Sequence, residues 1–208
     1  MARLEDFIAF IEDYSETIIE HTEHLTDLDR AIGDADHGSN MARGMVKVAA
    51  LAGAEDFASI EAYLKKVGMT LVSTVGGASG PLYGTFFLRM AGPLAEIEDA
   101  GSAEFGAALR AGVEGVLARG KAELQDKTMY DAWAPALDAY DTAVGEGKDL
   151  ADALGAAARA AAEGRDATQE LVARKGRASY LGERSRGHLD PGAASTTLLL
   201  ESAARTLA

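Results

Sequence analysis

The chain has 208 residues, of which 48% are hydrophobic and 25% charged, and it contains no cysteine. These values are typical of one globular domain, and they exclude a disulfide scaffold, thiolate metal sites and a cysteine nucleophile. A net charge of −13 argues against nucleic-acid binding, and no apolar run reaches the ~18 residues of a membrane helix. The N-terminal segment lacks the apolar core of a signal peptide. We therefore expect a cytoplasmic protein with no nucleic-acid or membrane partner.

The apolar residues recur at spacings of three and four almost throughout, which indicates helices. Strand-like alternation is absent. The pattern predicts eight helices, at 4–24, 39–51, 60–75, 80–94, 105–120, 129–144, 150–162 and 191 to the C terminus. We expect an all-α fold, an eight-helix antiparallel up-and-down barrel or bundle, formed by a single domain over residues 1–208. Four irregular segments should converge at one end and carry the site: 27–39, 76–80, 120–128 and 175–190.

Three aspartates lie close together in the first irregular segment, at Asp29, Asp34 and Asp36. Such a cluster favours a hard cation such as Mg²⁺, which prefers oxygen ligands and often shares them with phosphates. A pair of helix-capping aspartates beside a solvated turn is the alternative. A calcium-binding EF-hand is excluded, because a loop starting at Asp34 would have Met45 where a bidentate glutamate is required. His37, the next residue, could be a metal ligand, a proton shuttle or a hydrogen-bond donor to a phosphate, or it could only orient its neighbours.

The Gly76–Pro81 segment joins two helices and could hold an anion through its backbone N–H groups and the Ser79 hydroxyl. It is neither a Walker motif nor a nucleophile elbow, and a plain glycine-rich connection is the alternative. The last irregular segment is basic and could bind an anion or an acidic partner; its basic residues are Arg174, Lys175, Arg177, Arg184 and Arg186. A mobile surface loop, which would include Arg184 and Arg186, is the alternative. Met129 could contact a nucleotide base or lie in the core. Trp133 is expected to be a buried anchor.

Five motifs in this order closely resemble the nucleotide-binding L subunit of dihydroxyacetone kinase. They are Leu28-Asp-Arg-Ala-Ile-Gly-Asp-Ala-Asp-His-Gly-Ser-Asn-Met, Gly76-Gly-Ala-Ser-Gly-Pro-Leu-Tyr-Gly, Asp126-Lys-Thr-Met-Tyr-Asp, Gly176-Arg-Ala-Ser-Tyr-Leu-Gly and Asp190-Pro-Gly-Ala. The resemblance spans nearly the whole chain. It implies an eight-helix barrel that binds ADP or ATP through two Mg²⁺ ions, with the metal ligands Asp29, Asp34 and Asp36. It also implies that the nucleotide is contacted by His37, Gly38, Ser39, Asn40, Ala78, Ser79, Gly120, Met129, Arg177, Asp190, Pro191 and Gly192.

The resemblance further implies a subunit of a phosphoenolpyruvate-dependent dihydroxyacetone kinase. Its bound ADP would accept a phosphoryl group from a phosphohistidine donor protein of the phosphotransferase system and pass it to dihydroxyacetone on a K subunit. One alternative is a subunit of an ATP-dependent glycerone or related kinase with exchangeable ATP. Another is a non-catalytic metal-binding helical module. The single-domain length favours the phosphotransferase-linked form.

One residue departs from the family pattern. Ala35 stands between the last two aspartates, where the family often has glycine. If the turn requires a positive φ there, alanine costs on the order of 1 kcal/mol.

Overall fold

The computed structural model describes residues 1–207, and it confirms the all-α prediction. Apart from one antiparallel bridge between Ala2 and Ala100, the regular structure of these residues is helical. Nine α-helices are present in residues 1–207: α1 Leu4–Glu20, α2 Thr22–Ile32, α3 His37–Ala49, α4 Ile60–Thr74, α5 Ser79–Met90, α6 Ser102–Gly120, α7 Tyr130–Gly145, α8 Leu150–Ala167 and α9 Pro191–Thr206. Short 3₁₀ segments lie at Gly92–Leu94, Thr168–Glu170 and Arg177–Ser185. None of these helices has the length and apolar character needed to cross a membrane.

Eight of the helices form a closed circuit of packing contacts. Each helix from α3 to α8 contacts the next one along the chain, and α1 contacts both α3 and α9. The α4–α5 and α7–α8 connections are so short that these neighbouring helices must run antiparallel. Helix α2 lies outside the circuit and packs against α3, α9 and the Arg177–Ser185 segment. The circuit fits the expected barrel. That residues 1–208 form a single domain stays a prediction, and Ala208 lies outside the described residues.

The sequence prediction differs from the structure at the first two elements. The helix expected to run to about His24 ends at Glu20, and the segment 27–39, expected to be irregular, is helical as far as Ile32. Helix α2 is therefore a ninth helix that the pattern did not predict. Its three buried residues, Leu25, Asp29 and Ile32, are spaced as one helical face, and one of them is an aspartate. This buried carboxylate lies in the segment 27–39 that the sequence predicts to be irregular.

The core lies inside the circuit and is rich in aromatic side chains. Phe86 of α5 stacks on Trp133 of α7 with ring centroids 4.8 Å apart, and both side chains are fully buried. Trp133 is thus the buried anchor that the sequence predicted. Because a closely packed interior resists deformation, these helices form a rigid scaffold for the loops at their ends.

Candidate functional site

The four segments expected to be irregular meet at one cavity of about 490 Å³. Twelve of the fifteen residues implied by the family resemblance line it: Asp29, Asp34, Asp36, His37, Ala78, Ser79, Gly120, Met129, Arg177, Asp190, Pro191 and Gly192. Lys175, from the basic segment, lines it as well, whereas Arg184 and Arg186 are exposed outside it. The convergence expected from the helix order is therefore observed.

Gly38, Ser39 and Asn40 do not line this cavity. Gly38 packs so closely on α2 that a Cβ there would lie 2.1 Å from the carbonyl oxygen of Thr22. The Ser39 hydroxyl donates to the Asp36 carbonyl oxygen, and the Asn40 side chain accepts a hydrogen bond from Arg43. All three lie in the first turn of α3. Because they do not line the cavity, the contact with phosphate that the resemblance implies for them stays a prediction.

The three predicted metal ligands form one carboxylate cluster. Asp29, Asp34 and Asp36 each offer an oxygen atom, and these atoms lie within 4.8 Å of one another. Asp29 is buried on α2, and its Oδ2 also accepts hydrogen bonds from the backbone N–H groups of Asp36 and His37, at 2.8 and 3.1 Å. A Cβ at Gly33 would lie 2.0 Å from Asp29 Oδ1, so any side chain there would displace the Asp29 carboxylate. An all-oxygen donor set of this charge suits Mg²⁺.

Two neighbours shape the carboxylate cluster. Ala35 has a φ of +61°, so the strained backbone suspected at this position is present. The Arg177 guanidinium reaches across from the Arg177–Ser185 segment and pairs with Asp34, with 2.8 Å between Nε and Oδ2. Because the Arg177 side chain is 70% exposed, this ion pair contributes little to stability and leaves the guanidinium free to bind a ligand.

His37 is buried at the start of α3 with both ring nitrogens hydrogen-bonded. Its Nδ1 lies 3.0 Å from the Ser79 hydroxyl, and its Nε2 lies 2.9 Å from the Ser195 hydroxyl. Burial lowers the pKa of His37 to about 4, although Asp29 and Asp36 oppose this shift, so the imidazole is neutral at neutral pH. With both nitrogens engaged, His37 is placed to orient Ser79 rather than to ligate a metal ion.

The opposite wall is built around Lys127, whose role the sequence did not reveal. Its side chain is 1% exposed, its φ is +62°, and its ammonium group donates to the carbonyl oxygens of Thr168, Leu171 and His188. It therefore joins its own loop to two segments that are distant in sequence, one at Thr168–Leu171 and one at His188. The loop that carries it is fixed by Asp131, whose carboxylate accepts hydrogen bonds from the N–H groups of Gln125 and Thr128.

Asp190 caps α9 at the same wall. Its Oδ2 accepts a hydrogen bond from the Ala193 N–H at 2.7 Å, and its own N–H donates to the Thr168 hydroxyl. Burial raises the pKa of Asp190 to about 7. The hydrogen bond from Ala193 and the positive charge of Lys127 act in the opposite direction, because they stabilise the ionised carboxylate. Asp190 and Lys127 thus place a weakly acidic carboxyl group and a buried cation in the same cavity wall as Met129 and Gly192.

Residues 31–205 match the DAK2 domain family. The chain belongs to this family. Its relatives include the ADP-binding subunit DhaL of the PEP-dependent dihydroxyacetone kinase of Escherichia coli, 47% identical over 86% of each chain. A second is the DhaL subunit of kinase 1 of Listeria innocua, 43% identical over 96% of this chain and 94% of the relative.

Solved structures extend the likeness of this DAK2 domain to three dimensions. The native dihydroxyacetone kinase of C. freundii is similar with a TM-score of 0.75 and 26% identity, over 96% of this chain and 34% of the longer kinase chain. The same kinase in complex with AMP-PNP and Mg²⁺ matches with a TM-score of 0.73 over 95% of this chain and 33% of that one. The relative in that complex therefore holds a nucleotide and the cation that the carboxylate cluster suits.

The DAK2 domain has two groups of site residues that sequence reasoning did not assign. Lys127 and Asp131 lie in a quoted motif, so the motif was the available signal, but their hydrogen bonds depend on loops far along the chain. Tyr83 and Ser195 contact each other behind His37 from α5 and α9, with 2.7 Å between their hydroxyl oxygens. Tyr83 lies in the quoted motif that begins at Gly76, but no role was assigned to it there, and Ser195 lies two residues after the quoted Asp190-Pro-Gly-Ala motif.

Proposed function

We propose that this chain is the ADP-binding subunit of a phosphoenolpyruvate-dependent dihydroxyacetone kinase. The observation that carries the proposal is the cavity in which three clustered carboxylates face the Ala78–Ser79 connection and Arg177. Metal ligands, backbone N–H groups and a guanidinium are what phosphoryl transfer requires, because its catalysis depends chiefly on positioning and charge neutralisation. The names of the E. coli and L. innocua relatives support the same assignment.

Each part of the nucleotide has a proposed binding region. Asp29, Asp34 and Asp36 would hold two Mg²⁺ ions, which when bound neutralise phosphate charge. Ser79, Ala78 and the first turn of α3 from His37 to Asn40 would contact the phosphates. The nucleoside would lie against the apolar part of the wall, formed by Gly120, Met129, Pro191 and Gly192, with Asp190 and Arg177 at its edges.

Two partners follow from the proposed function. We propose a K-type subunit that holds dihydroxyacetone and a phosphohistidine protein that supplies the phosphoryl group, all in the cytoplasm. In the proposed cycle this chain would retain its nucleotide between transfers. The β-phosphate of bound ADP would accept the phosphoryl group from the donor protein at the cavity mouth, and the γ-phosphoryl group of the resulting ATP would pass to dihydroxyacetone, which regenerates ADP. Arg177, which lies at the exposed side of the cavity, would neutralise charge there.

Mass spectrometry of the purified protein, first native and then denatured, tests the proposal directly. We expect one ADP released per chain, together with bound divalent cation. Metal binding without nucleotide would instead support a non-catalytic metal-binding module and reject the kinase assignment.

A turnover assay tests whether the nucleotide acts as a coenzyme. The chain is mixed with a K-type subunit, dihydroxyacetone and excess ATP, with and without a phosphohistidine donor protein that is kept phosphorylated from phosphoenolpyruvate. Sustained product formation should require the donor. Many turnovers from ATP alone would reject the coenzyme role in favour of an ATP-dependent kinase with exchangeable nucleotide.

A further inference from the structure

A chain of buried hydroxyl groups runs from α9 to the phosphate end of the cavity. The Thr196 hydroxyl lies 3.1 Å from that of Tyr83, and the Tyr83 hydroxyl lies 2.7 Å from that of Ser195. Ser195 contacts His37 Nε2, and His37 Nδ1 contacts the Ser79 hydroxyl, which lies at the cavity. Thr196, Tyr83 and Ser195 are at most 1% exposed.

The chemistry of the cavity end fixes the direction of this chain. Phosphate oxygens accept hydrogen bonds, so a Ser79 hydroxyl that binds a phosphate must donate its hydrogen outward. Its oxygen can then accept from His37 Nδ1–H. Because the ring is buried and both nitrogens face uncharged hydroxyl groups, a second ring proton would have no charged partner, and Nε2 is left as an acceptor. Ser195 must therefore donate to Nε2 and accept from Tyr83, and Tyr83 in turn accepts from Thr196.

Hydrogen bonds aligned in one direction polarise one another, so each link strengthens the next. The opposite direction is possible when the cavity holds no phosphate, because the Ser195 hydroxyl also lies 3.2 Å from the carbonyl oxygens of Pro191 and Gly192. Donation to either carbonyl would let Ser195 accept from Nε2–H. The Ser79 hydroxyl would then donate inward to His37 and be lost as a phosphate donor.

We propose that Thr196, Tyr83 and Ser195 are positioning residues that hold His37 in its Nδ1–H form and thereby direct the Ser79 hydroxyl toward a bound diphosphate. This inference rests on the proposed function, since it requires a phosphate group in the cavity. It assigns a positioning role to three side chains that were not among the expected site residues.

The first test measures how fast the loaded protein exchanges labelled ADP for unlabelled ADP in the presence of Mg²⁺. Tyr83→Phe and Ser195→Ala each break the chain, and we expect release about ten-fold faster than from the unmodified protein, the effect of about one hydrogen bond to a charged group. Tyr140→Phe and Ser15→Ala are matched controls. Both remove a buried hydroxyl that bonds to a backbone carbonyl oxygen, of Ser102 and Ile11 respectively, and both should leave release unchanged.

The second test uses ¹⁵N NMR to determine which ring nitrogen of His37 is protonated. The chain has four histidines, so the His37 signals can be assigned as those lost in His37→Gln. With ADP and Mg²⁺ bound, we expect a protonated Nδ1 and an unprotonated Nε2. Tyr83→Phe and Ser195→Ala should abolish this single form, whereas Tyr140→Phe should retain it.

The outcomes separate this inference from the proposed function. Failure of the unmodified protein to bind ADP rejects both. Normal ADP binding with release rates in Tyr83→Phe and Ser195→Ala equal to those of the controls rejects only the positioning role. A protonated Nε2 in the ADP-bound protein, with or without a protonated Nδ1, would also overturn the proposed direction.

Discussion

The carboxylate of Asp29 accepts a hydrogen bond from the backbone N–H of Asp36 at 2.8 Å, although the two residues are seven positions apart. One side chain thus both fixes the turn and contributes an oxygen to the carboxylate cluster. Substituting Asp29 would disturb the turn and the charge together. Asp34, whose side chain is 35% exposed and pairs with the exposed Arg177, is the better position at which to test metal binding alone.

Asp34→Asn should lower the amount of ADP that co-purifies with the protein by at least about ten-fold, since the weakening of one metal-ligand contact typically costs this much in metal affinity. The helical circular dichroism should be unchanged. Nucleotide content after denaturation is the measurement. Asp27→Asn is the matched control, because it removes the same charge from an exposed site paired with Arg30. Full ADP content in Asp34→Asn would contradict the metal assignment.

Lys127→Met should lower the free energy of unfolding by about 2–3 kcal/mol, because buried carbonyl oxygens lose their charged donor. Denaturant unfolding monitored by circular dichroism measures the change. Lys121→Met provides the comparison: Lys121 also has a positive φ but is exposed, so its substitution should change stability by less than about 0.5 kcal/mol. Equal losses in the two variants would show that the three carbonyl contacts are unimportant.

Asp190 should make stability fall as the pH rises. Its pKa is raised from 3.8 to about 7 in the folded protein, so between these values the folded state holds a proton that the unfolded state has lost. Each pH unit in this window then costs at most about 1.4 kcal/mol, and the effect ends above pH 7. His37 acts in the opposite sense, because its lowered pKa makes stability rise between about pH 4 and 6.5.

Comparison with Asp190→Asn isolates the Asp190 effect, since His37 is common to both proteins. Denaturant unfolding at pH 5 and pH 8 should show the variant gaining stability relative to the unmodified protein as the pH rises. A difference that does not vary with pH would show that Asp190 titrates at its ordinary pKa in the folded state.

Ala35→Gly should raise the free energy of unfolding by up to about 1 kcal/mol, because glycine adopts a φ of +61° without the Cβ clash. The corresponding rise in Tm is about 2–4 °C for a chain of this size. Ala107→Gly, at an exposed position inside α6, should instead lower stability by about 1 kcal/mol. If the two substitutions had the same sign, the left-handed conformation at Ala35 would not be a source of strain.

The helical periodicity predicted most elements well, because a face of apolar residues is a local property. It was wrong where a polar residue occupies that face. Leu25 and Ile32 flank Asp29 on the buried side of α2, and the aspartate interrupts the apolar pattern by which a helix is predicted. The spacing of Leu25, Leu28 and Ile32 was the signal that could have revealed it.

By itself, the sequence determined the all-α class and the residue types that gather at the site. The spacing of apolar residues and the charge of a segment are local properties of the sequence. The aspartate turn and the glycine–serine connection each lie within one short segment. Only the tertiary structure decided which distant groups meet. Ser195 reaches His37 across 158 positions, and Lys127 bonds carbonyl oxygens 41, 44 and 61 positions away. Such contacts depend on how the helices close around the core, and no local pattern specifies that arrangement.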